Sequence, residues 1–217
     1  MTQRKLPSNA SVATEADGGK MVAPAASRNA AALCELLEQF APKTGKALEL
    51  ASGTGQHVAA FAEKMPGVHW QPSEIEPDRR ASINAYAEDI ENVSPAIELN
   101  ATAPGWHSRH GGQDLIVLIN LLHLISWTEA KIMITEAALA LNPSGRLVLY
   151  GPFMRAGILT SEGDRNFHSA LIRQDPEIGY KGDVEILELL RQCNLALIEI
   201  VEMPANNLAF VTEKRAT

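Results

Sequence analysis

The stretch ALELASGTGQHVAAF (residues 47–61) decides the fold. An apolar run containing an acid, Glu49, meets a turn with glycines at positions 53 and 55, and an alanine-rich segment follows. A short continuous apolar run suits a strand buried on both faces, and the alanine-rich continuation suits a helix. Glycine belongs where backbone turns sharply or lies close against a ligand. A strand, a glycine turn and a helix in that order form the first unit of an alternating chain.

The alternation extends outward in both directions. Before the first strand, a helix from Ser27 carries Leu33, Leu36, Leu37 and Phe40 at helical spacing, up to the break APKTG. KALELA is read as the first strand, HVAAFAEKM as its helix, and GVHWQPSE as a second strand closing on Glu74. PDRRASINAYAEDI then reads as helix, AIELNA and DLIVLIN as strands, WTEAKIMITEAALAL as helix and GRLVLYG as strand. Short links between such elements imply a parallel, doubly wound sheet. Residues 152–182 are longer than a bare connection needs and precede the helix VEILELLRQC. LALIEIVEM and LAFVTEK, joined by the turn-rich PANN, read as a closing hairpin, so one of the last strands runs antiparallel.

Composition narrows the function. The 217 residues, 46% hydrophobic, suit one domain with a substantial core. Residues 1–23 are rich in Ser, Thr, Ala and Gly without a period and read as a flexible arm, leaving 24–217 as the domain. The net charge of -7 provides no overall field for a phosphate backbone, which disfavours nucleic acid. Cys34 and Cys193 have neither the spacing of a zinc site nor that of a redox pair, so no metal is expected. The first twenty residues lack an apolar signal core, and LIVLINLLHLI is too short and too polar to span a bilayer. These features point to a cytoplasmic protein with no membrane partner.

An acid closing the second strand can accept hydrogen bonds from ribose hydroxyls, and Glu74 lies 19 residues after Gly55, at that station. The arrangement suits a nucleoside cofactor, although glycines at such a turn also serve conformation alone, and Glu74 also suits the solvated start of a helix. A dinucleotide site wants GxGxxG, and Val58 stands where its third small residue belongs. An NAD(P)-dependent oxidoreductase is therefore the weaker reading.

ELASGTGQH resembles the first motif of class I S-adenosylmethionine-dependent methyltransferases, with Ala51 in place of the usual first glycine. The resemblance continues through SEIEP, ELNATAP, LINLLH and the terminal hairpin. SRN, ASGTGQH, WQPSE, NLLH, YGPF and MPANN together resemble a methyltransferase-like branch of that superfamily. It implies a Rossmann-like doubly wound seven-stranded sheet with an antiparallel last strand, and S-adenosylmethionine as cofactor. Carried onto this chain, it implies Ser52, Gly53 and Gly55 beside the methionine and ribose, with Glu74 on the ribose hydroxyls. Asn100 or the Ala101 backbone then reads the adenine, Glu49 the ammonium, and Arg28 and Asn29 the carboxylate, while Asn120 lines the methyl-donor site. Asn100 also suits a local turn, and Asn120 a cap.

Methyl transfer is an in-line displacement, and a hydroxyl acceptor must also lose a proton. His123, after the fourth strand, is the candidate base, although among leucines it also reads as a core histidine. Tyr150 either orients a substrate or packs, and His57 and His168 have no visible partner. The fourth-strand tip lacks the Asn-Pro-Pro-aromatic tetrad of many base and glutamine methyltransferases, since Leu121 and Leu122 replace both prolines. That favours a small-molecule acceptor bearing an oxygen, nitrogen or sulfur nucleophile. Residues 152–182, with Phe153, Arg155, Phe167, His168 and Arg173, are placed to cover the substrate, with Asn206 and Asn207 beside it. A non-catalytic interaction protein on the same fold is the remaining alternative.

Overall fold

The computed structural model describes residues 12–216. Helix α1 (Pro24–Phe40) begins with Pro24, where a missing N–H costs nothing. Strand β1 (Gly45–Leu50), helix α2 (Gln56–Lys64), strand β2 (Val68–Pro72) and helix α3 (Pro77–Ala87) follow. Next come β3 (Gln113–Ile119), α4 (Trp127–Ala140), β4 (Leu141–Met154) and α5 (Glu162–Gln174). The chain closes with α6 (Asp183–Gln192), β5 (Leu195–Met203) and β6 (Asn207–Lys214).

The strands order as β2-β1-β3-β4-β6-β5. Pairings β1–β2, β1–β3 and β3–β4 are parallel, while β6 runs antiparallel to both β4 and β5. The seventh strand is a two-residue piece, Lys181–Gly182, parallel to the end of β4. The segment AIELNA was expected to be a full strand and is not one. It contributes one single bridge, Ile97 with Ser73, and Val93 just before it makes another, with Trp70. Pro95 lies between them and has no N–H to donate, so the ladder is interrupted at this edge.

Period-two alternation along β3 sends Leu115, Val117 and Ile119 to one face and Ile116 and Leu118 to the other. The first face packs on Leu33, Leu37, Phe61, Trp70 and Ile83 of the α1–α3 side; the second packs on Met133, Ile134 and Ile186 beneath α4 and α6. Burying each such side chain is worth about 1.5–3 kcal/mol, so the double layer fixes where the strand tips lie.

Two segments differ in detail from the sequence reading. Residues 1–11 of the expected arm lie outside the described residues. Beyond them Thr14–Glu15 and Met21–Val22 pair antiparallel, and Met21 N donates to Ser82 Oγ at 2.8 Å and Ala23 N to Gln56 Oε1 at 2.7 Å. The segment 152–182 contains α5, whose start Ser161-Glu-Gly-Asp164 forms a capping box: Asp164 N donates to Ser161 Oγ at 3.1 Å and Ser161 N to Asp164 Oδ2 at 3.0 Å. Among the described residues no helix is long and apolar enough to cross a membrane, and no cluster of His, Cys, Asp and Glu could hold a metal ion.

Candidate active site

Strand order reverses beside β1, and the carboxyl ends of β1, β2 and β3 open there on one cavity of about 760 Å³. The turn after β1 takes positive φ at Ala51 (51°), Gly53 (61°) and Gly55 (92°). The two glycines do different work. A Cβ on Gly53 would have Arg79 Nη1 at 3.6 Å as its nearest neighbour, on the cavity wall; one on Gly55 would sit 2.7 Å from Ile83 Cα. Gly55 therefore lets α2 and α3 approach and does not line the cavity, which corrects its assignment to the ligand. Ala51 occupies left-handed backbone that costs a non-glycine residue about 1–2 kcal/mol.

Hydrogen bonds join the tips of β1 and β2. Ser73 N and Oγ both donate to Glu49 O (3.0 and 2.8 Å), and Ser52 N donates to Ser73 O at 2.8 Å. Gly53 N donates to Glu74 Oε2 at 3.0 Å, while Glu74 Oε1 accepts from Ile75 N at 2.7 Å. Glu74 is thus held rigidly against the cavity by backbone donors. Glu49 is held differently: it lines the cavity at 1% exposure and its Oε2 has no hydrogen-bond partner. Burial pushes its carboxyl up to about 8, a hydrogen bond with Ser52 opposes the rise, and the Glu74 charge adds to it.

Asn100, Ala101, Ser52 and Asn120 also line the cavity. Asn100 Oδ1 accepts from Thr102 N at 3.0 Å and from Thr102 Oγ1 at 2.8 Å, so the local turn is present as well. Asn120 takes φ 56°, and its N donates to Tyr150 O at 2.9 Å. Arg28 is exposed on α1, and neither it nor Asn29, which is buried against His57, lines the cavity, so the structure does not bring them to a cofactor carboxylate.

The candidate catalytic and substrate residues divide. His123 is enclosed, its ring edge-on to Phe167 (5.7 Å) and Tyr180 (6.2 Å), and it does not line the cavity although Leu121, Leu124 and Ile125 do. Burial, with the Lys181 charge adding to it, lowers its pKa to about 3, so it is neutral and out of reach of a cavity ligand. Phe153 packs on Phe210 at 4.8 Å in the α4–α6 layer, away from the cavity. His168 Nδ1 accepts from Tyr180 N at 3.0 Å. Asn206 Nδ2 donates to Asp164 Oδ2 at 3.2 Å.

Tyr150, Asn29 and Asn207, far apart in sequence, meet. Asn207 Nδ2 lies 3.0 Å from the Tyr150 hydroxyl, which the Asn29 side chain also hydrogen-bonds. Asn29 Oδ1 in turn lies 2.8 Å from Nε2 of His57, which lines the cavity. His57 lacked a partner in the sequence reading because Asn29 lies 28 residues away on another helix. Thr54, within the glycine motif, lines the cavity too, as do Met21, Ala23, Arg79 and Glu129, which no motif announced.

A family model described as "Protein of unknown function (DUF938)" matches residues 20–214. The chain belongs to this family. Among solved structures, the DUF938 chain is similar to an O-methyltransferase family protein from Burkholderia thailandensis, at TM-score 0.73 and 16% identity, over 86% of this chain and 56% of that one. It is also similar to an O-methyltransferase family 2 protein from Planctomyces limnophilus in complex with apigenin, at TM-score 0.74 and 16% identity, over 88% and 58%. Human N-acetylserotonin methyltransferase in complex with SAM matches at TM-score 0.69 and 14% identity, over 86% and 55%. The chain spans little more than half the length of these proteins, and at such identities the likeness establishes a shared fold, that of class I methyltransferases.

Proposed function

We propose that this protein transfers a methyl group from S-adenosylmethionine to an oxygen, nitrogen or sulfur nucleophile of a small molecule. The observation that carries the reading is Glu49: a buried carboxyl oxygen without a partner, at the cavity wall beside the glycine turn, suits a cationic ligand group. Among the described residues the lining around it has the same bias, with acids at Glu49, Glu74, Glu76, Asp78 and Glu129 against one cation, Arg79. A pyrophosphate beside the Glu74 carboxylate would meet like charge, which argues against a dinucleotide.

The residues present fit the cofactor. Glu74 has carboxylate lone pairs for a ribose diol, Gly53 leaves room where a side chain would intrude, and Leu99, Ala101 and Leu121 supply apolar walls for a purine. Bound there, S-adenosylmethionine supplies an electrophilic methyl on sulfur. The chain's own part is to orient the donor through Glu49 and Glu74 and to exclude water from it. Small-molecule acceptors are supported by the apigenin bound to the Planctomyces protein and by the name of the human enzyme. A cytoplasmic setting belongs to the same proposal and is supported by two free cysteines.

Calorimetry with S-adenosylhomocysteine and with NADH tests the cofactor, and binding of NADH alone would reject the reading. Transfer of labelled methyl groups to a purified metabolite fraction tests the activity and separates an enzyme from a non-catalytic binder.

A further inference from the structure

Four segments singled out in the sequence, SRN, GTGQH, YGPF and MPANN, meet in one chain of side chains: Asn29, His57, Tyr150 and Asn207. Asn29, His57 and Tyr150 are all below a tenth exposed. A buried polar network is retained at high cost if any member is unmatched, so its donors and acceptors can be followed one by one.

Asn29 Oδ1 can only accept, so the 2.8 Å contact places a proton on His57 Nε2. Asn29 Nδ2 then points at the Tyr150 oxygen, which Asn207 Nδ2 also approaches at 3.0 Å; that same amide donates to Pro204 O at 2.9 Å. With Nε2 protonated, a neutral His57 keeps its lone pair on Nδ1. No protein group described here donates to Nδ1, and the ring, stacked on Phe61 at 5.8 Å, lines the cavity. Burial lowers the pKa of His57 to about 4, so the ring is uncharged at physiological pH. A neutral wall is what a cationic methyl donor tolerates; an imidazolium there would repel it.

We propose that His57 Nδ1 is the hydrogen-bond acceptor that orients the methyl acceptor, and that Asn29, Tyr150 and Asn207 are positioning residues that fix its tautomer. The assignment rests on the methyltransferase reading and deepens it to a substrate class. The acceptor's nucleophilic atom is a nitrogen or oxygen carrying a hydrogen, as in an amine, alcohol or phenol, because a lone pair on Nδ1 attracts N–H or O–H and repels an anion. Holding that hydrogen turns the nucleophile's own lone pair toward the donor.

The test is the side-chain nitrogen NMR spectrum of His57 in the full-length 15N-labelled protein, recorded alone, with S-adenosylhomocysteine and with methylthioadenosine, which lacks the amino-acid tail. The expected result is a neutral ring, protonated on Nε2 and bare on Nδ1, from pH 5 to 8, with Nδ1 still bare when either ligand is bound. In Asn29→Ala the two tautomers should mix and the titration midpoint should rise, while homocysteine-ligand affinity stays within about threefold. A mixture unchanged by that substitution would refute the positioning role, and a circular dichroism check confirms the variant folds. Protonation on Nδ1, or an Nδ1 shift with S-adenosylhomocysteine that methylthioadenosine does not reproduce, would overturn the assignment and give His57 to the cofactor's tail. Failure of both ligands to bind would instead reject the methyltransferase reading and this inference with it.

Discussion

Glu49 makes the proposed cofactor site measurable without a substrate. Its carboxyl is wholly enclosed and pushed from 4.5 up to about 8 by burial. That displacement corresponds to roughly 5 kcal/mol favouring the neutral form, at about 1.4 kcal/mol per tenfold. Folding therefore takes up a proton between pH 4.5 and 8, and the contribution of Glu49 to stability is greatest below pH 4.5 and is lost as pH rises through about 8. Glu49→Gln, which stays neutral at every pH, should gain on the wild type by about 1.4 kcal/mol for each pH unit between 6 and 8. For a chain of this size that widens the gap in Tm by roughly 3–5 °C per unit. Cofactor binding reads the same group with opposite sign, because an ammonium seated on Oε2 requires the carboxylate. Titrating S-adenosylhomocysteine near pH 7 in phosphate and in Tris should show close to one proton released per ligand, with affinity strengthening toward pH 8. Methylthioadenosine, without the ammonium, should release none, and neither should Glu49→Gln. A Tm gap that stays flat from pH 6 to 8, together with binding heats independent of buffer, would refute the reasoning.

Glu74→Ala should weaken S-adenosylhomocysteine binding by roughly 1–3 kcal/mol in calorimetry, and should also lower Tm, because the N–H groups of Gly53 and Ile75 lose their acceptor. Gly55→Ala should cost about 2–5 kcal/mol in denaturant unfolding, since its Cβ meets backbone at Ile83 and its φ is 92°; Gly53→Val, strained at φ 61° but without a clash, should cost about 1–2 kcal/mol and abolish ligand binding. Asp164 is pushed up by burial, but hydrogen bonds from Ser161, Thr160, Tyr180 and Asn206 outweigh this and hold it below the usual aspartate value. Its contribution is therefore present at neutral pH and lost as pH falls through that lowered value, and hydrogen exchange in α5 should quicken in acid unless Asp164→Asn has already removed the effect. Replacing residues 155–182 by a short linker should leave cofactor affinity nearly unchanged and remove acceptor selectivity, with thermal unfolding as the check that the sheet survives.

The parts of the fold legible in the sequence were those governed by local pattern. The doubly buried run of β3 and the glycine turn needed no distant partner to be read, and the cavity forms where their order places it. AIELNA failed as a strand because its apolar pattern says nothing about its edge position or about the missing N–H of Pro95. Helix α5 was missed although Ser161 and Asp164 stand at capping-box spacing and Phe167 and Leu171 follow four apart, so the signal was there. In the site, Glu74 could be placed at the cavity from its station at the end of the second strand, and Glu49 from the motif that the chain resembles. Gly55 was misassigned because a glycine needed for helix contact looks the same in sequence as one needed for a ligand. His123 drew attention for its place after β3, but what decides its chemistry is the covering of Phe167 and Tyr180, contributed by residues more than forty positions later.

The turn between β5 and β6 ties the start of α5 to the end of β4. Its two asparagines face different ways: Asn206 donates to Asp164 at the start of α5, and Asn207 donates to the Tyr150 oxygen beneath. Asn206 takes φ 60°, which asparagine tolerates better than most residues, and Asn207 returns to extended backbone to start β6. The antiparallel β6 is what delivers this turn to the ligand end of the sheet, since its register sets Asn207 opposite Pro152 and Ala209 opposite Tyr150. On the other side, Gly179 N donates to His123 O at 3.0 Å and Lys181 Nζ to Ile125 O at 2.7 Å, so the segment after α5 grips the loop whose Leu124 and Ile125 line the cavity. Residues 152–182 thus have two anchors, one on the hairpin turn that carries Asn206 and Asn207 and one on the loop after β3. Neither anchor touches the glycine turn or Glu74, which is the physical reason why replacing the segment should leave cofactor affinity nearly unchanged.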